Sequence, residues 1–497
     1  MSLKSHHWVR SLLLTLILWL GMQLPSYAVA SPDSVDAKIL HVINRLSFGP
    51  RPGDIEAVKS IGIEAYIQSQ LTPTSLSEPQ SLTQQLASLE TLQMSPLELT
   101  TAYRQRRKTQ QGQQHDPKAV ITVRQQTRKV LEQASQSRLL RAIESPRQLE
   151  EVMVDFWYNH FNVFSGKGLD RVLVGSYEQQ AIRPHALGKF RTLLEATAKH
   201  PAMLFYLDNW QNTAPTSSGA KGRFKGLNEN YARELMELHT LGVNGGYTQQ
   251  DVITLARILT GWGFPRPRQV STADRTGFYF DADRHDFSDK VFLGQPIKGS
   301  GMAQGEQALD ILAHHPATAR HISYELAQYF VADEPPATLV DQLSKRFLDT
   351  DGDIRAVLAT LFSSSEFLNP KYYNTKFKTP YQYTVSALRV TDTKLQNLRP
   401  VFGVLRQMGM PLYGCQTPDG YKHTEEAWLN PDGILRRISL TTAIANGRFP
   451  GSQPVDAQQL ATTLGNSFSP QTKQVIESTP EAMKAVLMLG SPEFMRY

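Results

Sequence analysis

The stretch Asn228–Trp262, NENYARELMELHTLGVNGGYTQQDVITLARILTGW, carries more information about the fold than any other part of this chain. In its first half, apolar residues recur with a helical period between Tyr231 and Leu238. Its second half follows an Asn-Gly-Gly turn and begins at Thr248, whose spacing to Asp251 is that of a capping box. The stretch therefore predicts two helices joined by a tight turn.

Five ionisable side chains crowd the first of these helices. Glu229, Arg233 and Glu237 recur every four residues away from the apolar face, which is the spacing of an exposed ion-pair ladder. Glu234 and His239 lie on opposite flanks of the apolar face, where side chains are usually half-buried. A half-buried carboxylate needs a partner, or its pKa rises. Glu234 and His239 are therefore the leading candidates for a functional site, with Glu237 a weaker one, and a purely structural role stays open for each.

The first thirty residues predict export. Lys4 and Arg10 precede an apolar run from Leu12 to Leu20, and Ala28-Val29-Ala30 offers the small residues at which secretory signal peptides are cleaved. The run is too short for a membrane span, which needs about 20 apolar residues. We therefore expect residues 1–30 to be a cleaved signal peptide, and the mature protein to be periplasmic or extracellular without a stable membrane span.

Composition narrows the class of protein further. The formal net charge is +6, and two of those charges leave with the signal peptide, so the remaining surplus does not favour nucleic acid or an anionic membrane as a partner. Basic residues between Arg124 and Arg141, Arg138 among them, are interrupted by Glu132 and indicate a solvated helix face. Cys415 is the only cysteine, so no intramolecular disulfide is expected and the thiol is best interpreted as inert.

Hydrophobic periodicity predicts a mainly α protein in which residues 31–497 form a single large multi-helix domain. The stretches 105–116, rich in Gln, and 213–226, rich in Ser, Gly and Lys, lack that periodicity and predict flexible loops. Near 277–297 two apolar runs, Phe278–Phe280 and Val291–Leu293, flank a polar turn. They predict a small β-hairpin.

Two further motifs carry candidate chemistry. Asp155-Phe-Trp-Tyr-Asn-His160 places His160 beside aromatic residues that must be buried, where it is either functional or a core histidine. His285 and Asp286, with Lys290, lie in the turn of the predicted hairpin. A bare His-Asp pair is weak evidence for phosphohydrolase chemistry, which needs more metal ligands at defined spacing.

Several known site motifs are absent from the sequence. There is no His-Glu-x-x-His, and a single cysteine excludes thiolate zinc clusters. Asp349-Thr-Asp351-Gly-Asp353 has its glycine two positions too early for a calcium loop, so we predict a tight turn with Asp353 capping the next helix. No Gly-x-Ser-x-Gly elbow, phosphate loop or dinucleotide-binding fingerprint occurs.

Together these motifs resemble the domain-of-unknown-function 1800 family of exported bacterial proteins. The matching segments are His41–Gly49, Phe156–Val163, Asn228–Trp262, His285-Asp286, Lys290–Gly294, Lys378–Pro380 and Ser491–Phe494. The resemblance extends from about Ile39 to the C-terminus, with one departure at Gly420-Tyr421, where the family usually has Gly-Trp. It implies an exported helical domain, often encoded beside a second exported protein related to sulfatases and alkaline phosphatases, which would be a partner. It implies no established reaction.

Two hypotheses of function follow. In the first, the protein is a hydrolase or lyase acting on an extracellular or envelope polymer through general acid–base groups. The catalytic candidates are Glu234, His239, Glu237, His160 and His285. Of these, His160, His239 and His285 would also suit a divalent metal as cofactor. The candidate substrate contacts are Arg233, Trp157, Trp262 and Asp286, with the two indoles as an apolar wall for a sugar ring. This hypothesis predicts that His160, Glu234, His239 and His285 converge on one pocket.

In the second hypothesis the protein is not catalytic. It binds or assembles with a partner in the envelope, and the charged helix belongs to a buried polar network that fixes packing. This hypothesis predicts that Glu234 and His239 pair with nearby arginines and backbone groups.

Overall fold

The structure is a computed structural model. It describes residues 35–112, 117–222, 224–266, 269–270, 275–395, 397–449, 452–465 and 467–497. The predicted signal peptide, residues 1–30, lies outside these ranges. Across the described residues, helices dominate and the strands form two antiparallel pairs, which confirms the mainly α prediction. No helix in these ranges is long and apolar enough to cross a membrane.

The first part of the chain builds a helical layer that ends in the first candidate motif. Its helices are α1 Val35–Leu46, α2 Asp54–Ile61, α3 Ile63–Leu71, α4 Gln80–Ala87, α5 Pro96–Gly112, α6 Pro117–Glu144 and α7 Gln148–His160. The predicted loop at 105–116 is wrong over its first part, because residues 105–112 continue α5. A helix that buries little surface also has a polar sequence without an apolar stripe, so this pattern does not distinguish such a helix from a loop. Residues 113–116 lie outside the described ranges.

The middle of the chain contains the segment quoted at the outset. Its helices are α8 Asp170–Tyr177, α9 Phe190–Lys199, α10 Pro201–Tyr206, α11 Asn230–Glu237 and α12 Gln249–Ile258. Thr248 and Asp251 form the predicted capping box at the start of α12. The described part of 213–226 contains no helix or strand. Its backbone is tied to another segment, since Ala214 N donates to Arg284 O at 2.9 Å.

The C-terminal part is again helical. Its helices are α13 Met302–Ala313, α14 Pro316–Phe330, α15 Ala337–Asp349, α16 Ile354–Phe362, α17 Pro380–Val390, α18 Arg399–Gln407, α19 Glu425–Trp428, α20 Pro431–Ala445, α21 Ala457–Leu464, α22 Pro470–Ser478 and α23 Glu481–Gly490. The Asp353 side chain accepts from Ala356 N at 3.0 Å and caps α16, which confirms the turn predicted in place of a calcium loop.

The strands are β1 Trp262–Gly263, β2 Tyr279–Phe280, β3 Lys290–Phe292 and β4 Gln295–Ile297. A hairpin does lie within 277–297, but the two runs expected to pair with each other do not. Instead β2 pairs with β1, and β3 pairs with β4 across Leu293 and Gly294. These two residues both have positive φ, at 48° and 75°, as in the tight two-residue turns that suit the twist of a hairpin.

Helix α17 lies at the centre of the core. All of its residues are buried, and it packs against α6, α18, α20 and α21. One connected cluster of buried apolar side chains extends from Val42 to Met495. The C-terminus is tied to this core by Lys378, whose Nζ donates to Phe494 O and Ser386 Oγ, each at 2.9 Å. Burial lowers the pKa of Lys378 to about 7.

Candidate functional site

Helix α11 is shorter than its sequence period predicts, and this changes the position of His239. The helix ends at Glu237, and the next residues turn tightly, with Thr240 Oγ1 donating to Leu235 O at 2.6 Å. Gly242 then adopts φ 80° against the ring of His321, where a side chain would be strained and crowded. His239 therefore lies beyond the helix and is buried, with 1% of its surface exposed. The prediction of a half-buried flank position was wrong for His239.

The exposed face of α11 is the predicted ladder. Arg233 forms ion pairs with Glu229 at 3.3 Å and with Glu237 at 3.5 Å, and all three side chains keep a quarter or more of their surface exposed. Pairs of this kind contribute about 0.3–0.5 kcal/mol each. Glu237 and Arg233 are thus engaged with each other on the surface.

Glu234 occupies the half-buried flank where the sequence placed it. Burial raises the pKa of its carboxyl group, and the neighbouring carboxylates of Glu237 and Asp419 raise it further, whereas Arg233 lowers it. Asp419 therefore lies near Glu234. Within the described residues, Glu234 forms no hydrogen bond or ion pair with His160 or His239.

A histidine cluster lies beside the turn that ends α11. It comprises His160, His239, His321, His423 and Glu325. The ring centroid of His160 lies 6.1 Å from that of His239 and 6.2 Å from that of His321. His160 Nδ1 is 2.6 Å from Glu325 Oε2, and its Nε2 is 3.2 Å from the backbone oxygen of His239. Two of the predicted catalytic residues are thus brought together.

The charges within the histidine cluster follow from these contacts. Both nitrogens of His160 face acceptors, Glu325 Oε2 and the backbone oxygen of His239. Burial alone would raise the pKa of Glu325, but His160, His321 and His423 together outweigh burial and hold this pKa at about 2. Burial lowers the pKa of His239 to about 3, with a smaller contribution from His160. The cluster therefore combines a hydrogen-bonded pair, His160 with the half-buried carboxylate of Glu325, and the neutral imidazole of His239.

His285 and Asp286 belong to a different place in the fold. His285 Nδ1 is 2.8 Å from Thr260 O, its Nε2 is 3.2 Å from Gln304 Oε1, and its ring lies against Phe280. Asp286 accepts from Arg257 at 2.8 Å. Within the described ranges, His285 shares no recorded partner with His160 or His239. The predicted convergence on one pocket is therefore limited to His160 and His239.

Lys290 stabilises the turn that contains His285 and Asp286. Its side chain is fully buried, and Nζ donates to Asp286 O at 2.5 Å, Ser288 O at 2.9 Å and Gln304 Oε1 at 2.8 Å. Burial lowers the pKa of Lys290. In the His-Asp-x-x-x-Lys pattern, the lysine thus binds backbone oxygens of its own turn and stabilises that turn.

Replacing Lys290 with Met is expected to lower the free energy of unfolding by about 1–3 kcal/mol, because three backbone or amide acceptors lose their donor. Urea unfolding of the purified variant measures this. Lys298→Met, at an exposed position after β4, is the matched control and is expected to stay within about 0.5 kcal/mol of the parent. Equal stabilities of the two variants would contradict the role given to Lys290.

Trp157 and Trp262 cannot form the predicted wall for a sugar ring. Both side chains are fully buried, and Trp157 Nε1 donates to Ala186 O at 2.9 Å. Nor do the described residues bring three His, Cys, Asp or Glu side chains into an arrangement that would hold a metal ion. His160, His239 and His285 therefore do not fit the divalent-metal site suggested by the sequence.

Arg138 was expected on a solvated helix face, and that interpretation was wrong. Its guanidinium lies in the core, 2.5 Å from Asp155 and 3.1 Å from Glu178, with Tyr158 and Tyr413 beside it. Its two carboxylate partners come from α7 and from the segment after α8. No local sequence pattern links these positions.

The asparagines of the Phe156–Val163 motif anchor a distant loop. Asn159 exchanges hydrogen bonds with the backbone of Tyr421, at 2.7 and 2.8 Å, and Asn162 donates to Cys415 O and Thr417 O. A side chain at Gly420 would overlap the backbone of Asn159. This close approach accounts for a glycine at position 420.

Sequence reasoning missed a groove that is lined by aromatic and basic side chains. We call it the Trp210 groove, and its volume is about 440 Å³. Its aromatic wall consists of Phe205, Trp210, Phe224 and Phe264. Trp210 lies 5.8 Å from Phe205 and 5.6 Å from Phe264 between ring centroids, both in stacked orientation. Each of the four rings is half-buried, so each keeps some surface towards the groove.

The backbone that carries Trp210 is held by buried amides. Asn209 Nδ2 donates to Leu259 O at 3.2 Å and Trp262 O at 3.0 Å, and Asn212 Nδ2 donates to Ala256 O at 2.7 Å. All three acceptors lie in the second half of Asn228–Trp262. That segment therefore positions the aromatic wall without contributing a ring to it.

The fold and these sites define a large helical protein with a buried polar network and an aromatic groove. The chain belongs to the family described as "Protein of unknown function (DUF1800)", whose profile matches residues 41–496. No curated protein and no solved structure matches the chain.

Proposed function

We propose that this is an exported binding protein for an extracellular polysaccharide, which it holds in the Trp210 groove by stacking sugar rings against the aromatic wall. The observation that carries the proposal is the stacked trio of Phe205, Trp210 and Phe264 in a cleft of about 440 Å³. Ligand sites in proteins are concave, have volumes of roughly 300–1,000 Å³ and are lined mainly by apolar and aromatic groups. The groove meets each of these conditions.

The rigidity of the wall supports a binding role. Asn209 and Asn212 fix the Trp210 segment to α12 and β1, so the ring is held in place before a ligand arrives. Preorganised aromatic side chains lose little conformational entropy on binding, and they are frequent among residues that dominate binding energy. Sugar rings have apolar faces that suit such a surface.

The histidine cluster supports binding in preference to hydrolysis or lysis. His160 and His239 are both buried. The polar contacts of the His160 ring are to Glu325 and to the backbone oxygen of His239, and His239 Nε2 has no hydrogen-bond partner among the described residues. A general acid or base must reach the proton it transfers. We therefore assign the cluster to packing, as a buried polar network that fixes α7 against α14 and the turn after α11.

Replacing Trp210 with Ala is expected to weaken binding of the recognised polysaccharide at least about tenfold, because the variant removes the central ring of the wall. The measurement is affinity electrophoresis of residues 31–497 in gels containing a panel of neutral and acidic polysaccharides. Tyr324→Ala, which removes an exposed aromatic ring from α14, is the matched control and should bind like the parent. Retardation by no polysaccharide in the panel, or equal retardation of the Trp210 variant, would rule the proposal out.

A further inference from the structure

The rim of the Trp210 groove is strongly basic. Besides the aromatic wall, the groove is lined by Arg104, Arg107, Lys108, Arg266 and Arg284. Arg104, Arg107 and Lys108 come from α5, whereas Arg266 and Arg284 follow β1 and β2. Arg104 lies over the Phe264 ring, whereas Arg266 and Arg284 lie over the Phe224 ring, so cations from both parts of the chain contact the aromatic wall.

Acidic side chains neutralise only part of this charge. Arg266 and Arg284 share a single carboxylate, that of Asp281, at 3.0 Å each. Both guanidinium groups also lie 4.7 Å from the centre of the Phe224 ring. Two positive charges and one negative charge therefore flank that ring, which leaves a net positive surface beside the wall.

On the α5 side of the groove, part of the positive charge is exposed to solvent. Arg107 and Lys108 are exposed, and neither has an ion pair recorded with the described residues. Arg104 reaches across the groove, with Nη1 donating to Pro265 O at 2.7 Å and the guanidinium 5.3 Å from the Phe264 ring centre. This side therefore offers positive charge next to the stacking surface.

We infer that the ligand of the Trp210 groove is an acidic saccharide, one with carboxylate or sulfate groups on its rings. The inference rests on the proposed function and specifies the class of polymer. A ring stacked on Trp210 and Phe264 brings its equatorial substituents towards the two basic sides. Guanidinium groups bind carboxylate and sulfate through charge-assisted, often bidentate hydrogen bonds.

A single-stranded nucleic acid also combines rings with negative charge, but the groove suits it less well. Proteins that bind single strands place aromatic side chains along a channel so that successive bases stack one after another. Here Trp210 is stacked with both Phe205 and Phe264, and the three ring centroids lie 5.6 to 6.1 Å apart, so the rings form a compact cluster and not a row along a channel. The export predicted from residues 1–30 also favours an extracellular polymer.

Isothermal titration of residues 31–497 with three probes tests the inference. The probes are hexagalacturonate, its fully methyl-esterified neutral form, and oligo(dT) of similar length. Hexagalacturonate is expected to bind at least about tenfold more tightly than the neutral form. Its affinity should fall as salt rises from 50 to 300 mM, because exposed charges are screened.

The charge contribution is separated from folding by a double variant. Arg107→Ser with Lys108→Ser changes only exposed side chains on α5, and we expect roughly tenfold weaker binding of hexagalacturonate. The matched control is Lys345→Ser with Arg346→Ser, an adjacent exposed pair on α15, which should leave the affinity unchanged. Equal loss in both doubles would overturn the inference.

The outcomes distinguish this inference from the proposed function. If the neutral hexasaccharide binds as tightly as the acidic one and still depends on Trp210, the protein binds polysaccharide but does not select acidic ones. If oligo(dT) binds more tightly than either saccharide, the acidic-saccharide inference is overturned in favour of a nucleic acid. If neither saccharide binds and no polysaccharide retards the protein in gels, the proposed function fails as well.

Discussion

Replacing Arg138 with Met is expected to lower the free energy of unfolding by about 3–5 kcal/mol, because the variant leaves Asp155 buried without a cation and leaves Glu178 with only Arg183, 3.7 Å away. The side chains of these two carboxylates are 5% and 0% exposed. Burial already raises the pKa of Asp155, even though Arg138 opposes it. Without Arg138, the Asp155 carboxylate must take up a proton or draw in water, and either change costs stability.

Urea unfolding at pH 7, followed by circular dichroism, measures this loss. Arg128→Met is the matched control, since Arg128 lies on the same helix, 74% exposed, and pairs with Glu132 at the surface. Surface pairs contribute about 0–1 kcal/mol, so the control should change little. A loss below about 1 kcal/mol in the Arg138 variant would show that the network does not hold the core as described.

The second large effect is a loss of stability in acid. His41, His200 and His239 are buried, and burial lowers the pKa of each, to about 3 for His200 and His239. In the unfolded chain these histidines take up protons near pH 6.5, whereas in the fold they stay neutral until the pH is far lower. Their contribution is therefore complete above pH 6.5 and is lost as the pH falls towards 3.

Each such histidine removes about 1.4 kcal/mol per pH unit below 6.5. Three together would remove roughly 6 kcal/mol by pH 5, a large part of the 5–15 kcal/mol that stabilises a typical domain. Asp155, Asp170 and Glu234 act in the opposite direction, because burial raises the pKa of each and the protons they retain favour the fold in acid. His423, whose pKa burial lowers to about 4, adds to the loss, so we expect a net loss.

The measurement is the slope of unfolding free energy against pH between 7 and 5. His239→Gln should reduce that slope by the amount due to one bound proton, about 1.4 kcal/mol per pH unit, since glutamine does not titrate. His314→Gln is the control, because hydrogen bonds with Asp310 and Asp351 raise the pKa of His314 and its contribution is lost as pH rises. A slope that does not change in the His239 variant would contradict the neutral state assigned to that residue.

The sequence predicted those parts of the fold that depend on local patterns. Helical periodicity identified the mainly α class, and capping chemistry located the start of α12 at Thr248 and of α16 at Asp353. The Arg233 ladder also followed from spacing alone. In each case the decisive contacts lie within four residues, so a linear pattern records them.

The errors concern contacts between distant segments. The position of His239 depends on a turn that ends α11 early, and the burial of Arg138 depends on carboxylates from α7 and from the segment after α8. The apolar run at Phe278–Phe280 was expected to pair with Val291–Leu293, because its actual partner, Trp262–Gly263, looked like the end of a helix.

The Trp210 groove could not be predicted from the sequence for the same reason, because its residues come from distant segments. Its aromatic residues come from α10, the segment that follows it, the loop at 213–226 and the residue after β1. Its cations include three from α5, two of them in the stretch predicted as a loop. No two of these segments form a motif. The family motifs instead supply buried supports, as Leu259 and Trp262 do for Asn209.

Co-crystallisation of residues 31–497 with hexagalacturonate tests the groove most directly. We predict a sugar ring in van der Waals contact, within about 4 Å, of Trp210 and Phe264, and a carboxylate within hydrogen-bonding distance of Arg104 or Arg266. A saccharide ordered at another surface while the Trp210 groove holds none would contradict the binding role proposed for it.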